Sequence, residues 1–168
     1  MIRYLVYLLL VVAGLGFEMT WLARTSIAGA VPDPLLLFVM AVGVLHGSEE
    51  GALVGAGVGL LQDITTGVPL GLAMLANMCV GFAAGLGERF IYIESTWLPV
   101  VGAFALSGLR VSVWALAAHL VGLLQGPIPE VARVVVAAAC YNGIIAIPIF
   151  HGFRYLDGAL VRFREASR

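Results

Sequence analysis

A chain of 168 residues has the length of one ordinary domain. It is 61% hydrophobic and 11% charged, with a mean hydropathy of +1.04, whereas a soluble domain is about half apolar and about a quarter charged. That excess is too large for an aqueous core to absorb, so lipid is the expected solvent, and a net charge of −1 without a basic stripe argues against nucleic acid as a partner.

Spanning the hydrocarbon takes about 20 helical residues. Taken in order, the apolar runs predict a single all-α membrane domain over 1–168 with six transmembrane helices. The expected spans are 4–22, 34–45, 51–64, 70–86, 97–124 and 131–153. Arg3 before an apolar run and Ala28-Gly29-Ala30 resemble a cleaved signal peptide, but the run is long and Glu18 interrupts it, so the first helix is expected to stay. Pro34 suits a helix N-terminus. His46 to Glu50 is expected as a turn, and Gln62 and Asp63 are expected to close the third helix. Spans two and three are short, which implies shielding by neighbours or incomplete crossing. Pro148 should bend the last span, and 154–168 reads as a polar, basic tail.

Six spans put both termini on one side. With the termini inside, Arg3, Arg89, Arg154, Arg162, Arg164 and Arg168 are cytoplasmic, and Arg24 and Arg133 are outside. The positive-inside rule then favours cytoplasmic termini, and Trp21 and Trp97 fall at interfaces.

Gly51, Gly55 and Gly59 recur every fourth residue, so they share one helix face with almost no side chain. Gly43 and Gly47 continue the spacing upstream, and Gly81 and Gly85 repeat it in span four. Smooth faces let helix backbones approach closely in lipid. They serve either packing within the chain or the docking of a partner's helix. Gly67, Pro69 and Gly71 mark the return that follows.

Charges at membrane depth must be paired or wet. Glu18, Arg24, Asp33 and Asp63 gather toward the outer side, as a pairing network with Arg133 or as a mouth for a ligand. Asn77, Arg110 and Asn142 lie inside spans. Arg110 has Trp114 one turn on, and Asn142 and Glu18 are its other expected partners. A lock between spans five and six, or a small-molecule or lipid-headgroup site, would each explain it.

Catalysis finds little support. Ser107, Ser112 and Thr65 have no obvious base beside them, and neither HExxH nor GxSxG occurs. Cys79 and Cys140 sit in apolar runs and read as buried hydrophobes, not as a disulfide or metal ligands. No cofactor is expected.

Several of these pieces together resemble the rod shape-determining protein MreD family. They are Val31-Pro32-Asp33-Pro34-Leu35-Leu36-Leu37, Glu50-Gly51-Ala52 with Gly55 and Gly59, Leu60-Leu61-Gln62-Asp63, Gly67-Val68-Pro69-Leu70-Gly71, and then Gly81 and Gly85. The resemblance covers the first half of the chain. It implies a non-enzymatic component of the cell-elongation machinery in the bacterial cytoplasmic (inner) membrane. Its implied partners are MreC, a single-span protein with an extracytoplasmic domain, and MreB, RodA and a transpeptidase of peptidoglycan synthesis. The family in turn looks like the substrate-binding S components of energy-coupling-factor transporters. The alternative is therefore a vitamin-uptake S component, with Arg110, Asn142 and the outer acids lining a pocket. Whether two copies pair is left open.

Overall fold

The computed structural model describes residues 2–20, 32–87, 98–123 and 128–166. Among them are six helices and no strand: α1 Ile2–Thr20, α2 Pro34–His46, α3 Ser48–Thr66, α4 Leu72–Leu86, α5 Leu98–Leu120 and α6 Ile128–Ala166.

Local chemistry sets several of these ends. The Asp33 carboxylate accepts from the Leu36 N–H at 2.8 Å, and Pro34 gives the first turn its fixed φ, so α2 begins there. Gly47 adopts φ 89°, a region open mainly to glycine, and its N–H donates to the Gly43 carbonyl. The chain therefore reverses at a single residue, and α3 starts at Ser48, inside the stretch expected as a turn. α3 also runs on to Thr66, so Gln62 and Asp63 lie one turn inside it instead of closing it. Gly67, in the left-handed region at φ 69°, ends it.

The polar tail is a second departure from expectation. α6 continues through Pro148 to Ala166, 39 residues in all, or about 58 Å at 1.5 Å per residue. Arg, Leu, Ala and Glu propagate a helix well, so a polar composition there did not mean a helix end.

α2 is the hub. Leu35 to Val44 are all buried, and α2 packs against each of the other five helices. Around it α3 neighbours α4, α4 neighbours α5, and α5 neighbours α6. α1 takes the remaining side, where its Tyr7 meets Phe153 of α6 and its Glu18 meets Gln62 of α3. Complete enclosure explains how a helix of 13 residues can be this apolar. Its short length is tolerable in lipid for the same reason, since its ends are covered by protein.

The most extensive packing joins α3 to α4, and glycine makes it possible. A methyl group on Gly55 would strike the Asn77 carbonyl, on Gly59 the Ala73 carbonyl, on Gly51 the Gly81 carbonyl and on Gly85 the backbone of Ser48. On Gly43 it would stand 2.5 Å from the Gly81 carbonyl oxygen and 2.9 Å from Ala84 Cβ. The smooth faces inferred from the spacing therefore meet one another across α2, α3 and α4.

Two stretches, Val100–Leu120 and Val136–Gly158, are long and apolar enough to cross a membrane. Large apolar side chains cover much of the outside, with Leu120 77%, Leu53 75% and Ile144 74% exposed. Such a surface fits lipid better than water.

Candidate functional site: a polar network around Arg110

The interior holds one connected polar network, and each of the six helices or its cap contributes to it. Arg110 of α5 is the centre. Its Nη1 pairs with Asp33 Oδ2 at 3.0 Å, its Nε donates to Asn77 Oδ1 at 2.8 Å, and its Nη2 donates to Gln62 Oε1 at 3.1 Å. Three acceptors in three directions suit a planar guanidinium and no other side chain. Gln62 Oε1 also accepts from Asn77 Nδ2 at 2.7 Å, and Gln62 Nε2 donates to Glu18 Oε2 at 3.3 Å. On the other side, Asn142 Oδ1 accepts from the Asp33 N–H at 2.8 Å and its Nδ2 donates to Ser107 Oγ at 2.9 Å.

The structure brings together Glu18, Asp33, Asn77, Arg110 and Asn142, expected at or near membrane depth, and Gln62, expected only to close its helix. The partners differ in detail from those expected. Arg110 binds Asp33, Asn77 and Gln62, and it reaches Asn142 and Glu18 only through them. Ser107, weighed only as a nucleophile, is the acceptor for Asn142. Arg24 lies outside the described residues, as does the side chain of Arg133. Arg110 and Asn142, the groups that would line a vitamin pocket, spend these contacts on the protein itself. No buried side-chain nitrogen or oxygen among the described residues lacks a partner. Inside a low-dielectric medium this matters, because each orphaned group would cost about 1–3 kcal/mol.

Asp63 does something else. It is fully buried, and instead of pairing with an arginine it grips the start of α4. Its Oδ1 accepts from the Ala73 N–H at 2.9 Å, and its Oδ2 accepts from Gly71 at 2.8 Å and Met74 at 3.2 Å. The first N–H groups of a helix have no intrahelical partner and carry partial positive charge, so a carboxylate suits them. Gly71, at φ 110°, turns the backbone so that these N–H groups face back to α3. Asp63→Ala should destabilise the protein by about 1–2 kcal/mol, and Asp63→Asn by less, measured by SDS titration in mixed micelles. Equal stability of Asp63→Ala and the parent would refute this capping role.

Pro32 is buried next to Asp33 of the network, whereas Pro69 and Gly67 are exposed in the α3–α4 turn. Gly51, Gly55, Gly59, Gly81 and Gly85 line the helix contacts described above and make no part of the polar network.

A second cluster, at the end of the bundle with the α2–α3 turn, has no signature in the sequence. Tyr7 Oη lies 2.9 Å from His46 Nε2 and donates to Asp157 Oδ1 at 3.3 Å, while His46 Nε2 lies 3.3 Å from Asp157 Oδ1. The ring of Tyr7 packs edge-on or tilted against Phe38 and Phe153, which meet each other edge to face, with ring centroids 5.2–5.5 Å apart. Beside these rings an apolar groove of about 340 Å³ opens between α1, α2 and α6, with Leu10, Gly14, Leu35 and Gly152 among its walls.

Among the described residues, no three His, Cys, Asp or Glu side chains are grouped to hold a metal ion. What the arrangement does chemically is fix six helices relative to one another.

The chain matches the family model of rod shape-determining protein MreD over residues 1–156. No curated protein and no solved structure matches it. With a match over all but the last few residues, on an all-helical bundle with a lipid-compatible exterior, the chain belongs to the rod shape-determining protein MreD family.

Proposed function

We propose that this chain is a non-enzymatic scaffold of the bacterial cell-elongation complex in the cytoplasmic membrane. In this reading all six helices span or enter the bilayer, and both termini are cytoplasmic. The scaffold holds MreC and, with MreB, RodA and a transpeptidase, supports cell shape and peptidoglycan synthesis. One observation carries the reading beyond family membership: the polar side chains at membrane depth are committed to one another, which suits a body whose task is to keep a fixed shape. The glycine series then shapes that body from within, and the partner's helix rests on an outer face.

The test is affinity purification of the tagged chain from native membranes, with mass spectrometry of what accompanies it. A single-span protein with an extracytoplasmic domain is the expected companion. Its absence under conditions that retain the folded bundle would overturn the scaffold reading. So would labelling that places the C-terminus outside the cell.

A further inference from the structure

α1 is held differently from the other helices. It packs chiefly on α2 and is the most sparsely packed of the six. Tyr4, Leu5, Leu8, Leu9, Val12, Phe17 and Met19 leave much of its surface exposed. Its inward stripe is Tyr7, Val11 and Leu15, one buried residue per turn. At Gly14 it lies so close to α2 that a methyl group there would stand 2.7 Å from Leu35 Cδ2. This close crossing meets a side chain, not backbone, so it can act as a pivot.

Polar contacts pin the helix on both sides of that pivot. Tyr7 bonds to His46 and Asp157 on one side, and Glu18 accepts from Gln62 on the other. Between the pins, the groove of about 340 Å³ separates α1 from α6. The α3–α4 contact has no such slack. α3 and α4 meet glycine against carbonyl, and close-packed interfaces do not deform continuously. Loosely packed elements are the ones that move at low free-energy cost.

We propose that α1 is a pinned gate: it pivots on Gly14 and Leu35 away from α6, widening the groove between them, and the Tyr7 and Glu18 contacts hold it shut. Opening separates Tyr7 from Phe38 and Phe153 and breaks the link from Glu18 to the Arg110 network. The core of α2 to α6 stays intact, because the contacts of Asp33, Gln62, Asn77, Arg110 and Asn142 with one another do not pass through α1. The gate does not depend on which protein binds the chain.

The test uses the full chain in lipid nanodiscs, with Cys79→Ala and Cys140→Ala as background. Spin labels at Leu5→Cys and Tyr155→Cys report the α1–α6 distance by pulsed electron resonance. Labels at Leu53→Cys and Phe82→Cys report α3–α4 as a reference. Adding Tyr7→Phe and Glu18→Leu removes both pins without adding bulk. A longer α1–α6 distance should then gain at least threefold in population, while the reference pair keeps its single distance. An unchanged α1–α6 distribution overturns the gate. Equal broadening of both pairs overturns it too, since α1 would then belong to the same cooperative unit as the core.

Discussion

Arg110→Leu is expected to cost about 3–5 kcal/mol of stability, the largest effect of any single substitution in the network. The loss has two parts. Three charge-assisted contacts of the guanidinium disappear, and the carboxylate of Asp33, itself 6% exposed, is left without its cation. The second part makes the prediction sharper. In the double variant Arg110→Leu with Asp33→Asn, the stranded charge is gone, and asparagine still caps α2. The double variant should therefore be more stable than Arg110→Leu alone, with a coupling of about 1–3 kcal/mol across the cycle. Arg110→Lys should fall between, because one ammonium on a flexible stem cannot serve Asp33, Asn77 and Gln62 together. SDS titration followed by tryptophan fluorescence measures the parent, Arg110→Leu, Asp33→Asn, the double variant and Arg110→Lys. Strict additivity of the two substitutions would sink the claim that Asp33 and Arg110 neutralise each other.

Gly55→Ala is the second large effect. A single methyl group placed there runs into the Asn77 carbonyl, and Asn77 also receives Arg110, so the insertion strains the glycine contact and the polar network at once. Overpacking of this kind costs about 1–3 kcal/mol, and Gly55→Leu should prevent folding. Gly57 is the control two residues away on the same helix. Nothing lies within 4 Å of a methyl group built there, so Gly57→Ala should leave stability unchanged or raise it slightly. The pair separates backbone flexibility from close approach, because both substitutions change helix propensity equally. Similar losses for both would mean that close helix packing is not why Gly55 is glycine.

Features encoded over a few residues were legible before the structure was known. Pro34 announces the start of α2, since its ring fixes φ locally, while the cap from Asp33 shows only in the structure. The four-residue glycine period is likewise local and announces a smooth face. What that face touches was not legible: Gly55 against the Asn77 carbonyl depends on how α3 and α4 lie, which no local pattern encodes. Asp63 shows the boundary well. Its burial depth could be guessed, yet its true partners are N–H groups eight to eleven residues on, reached only because Gly67 and Gly71 turn the chain back. The Tyr7–Asp157 contact joins residues 150 apart and left no trace in composition or spacing. Arg110 was the opposite case: the cost of a cation in lipid marked it as important, while its partners came from helices distant in sequence.

One consequence of α6 reaches past its own contacts. Besides its apolar packing on α2 and α5, Asn142 and Asp157 give it two polar fastenings about 22 Å apart along its axis. Beyond Asp157 the helix continues to Ala166. A sideways force applied to that stretch becomes torque about the nearer fastening and is resisted at the deeper one. A tug on the carboxyl-terminal arm would therefore be felt first at Tyr7 and His46, and only afterwards beside Asp33.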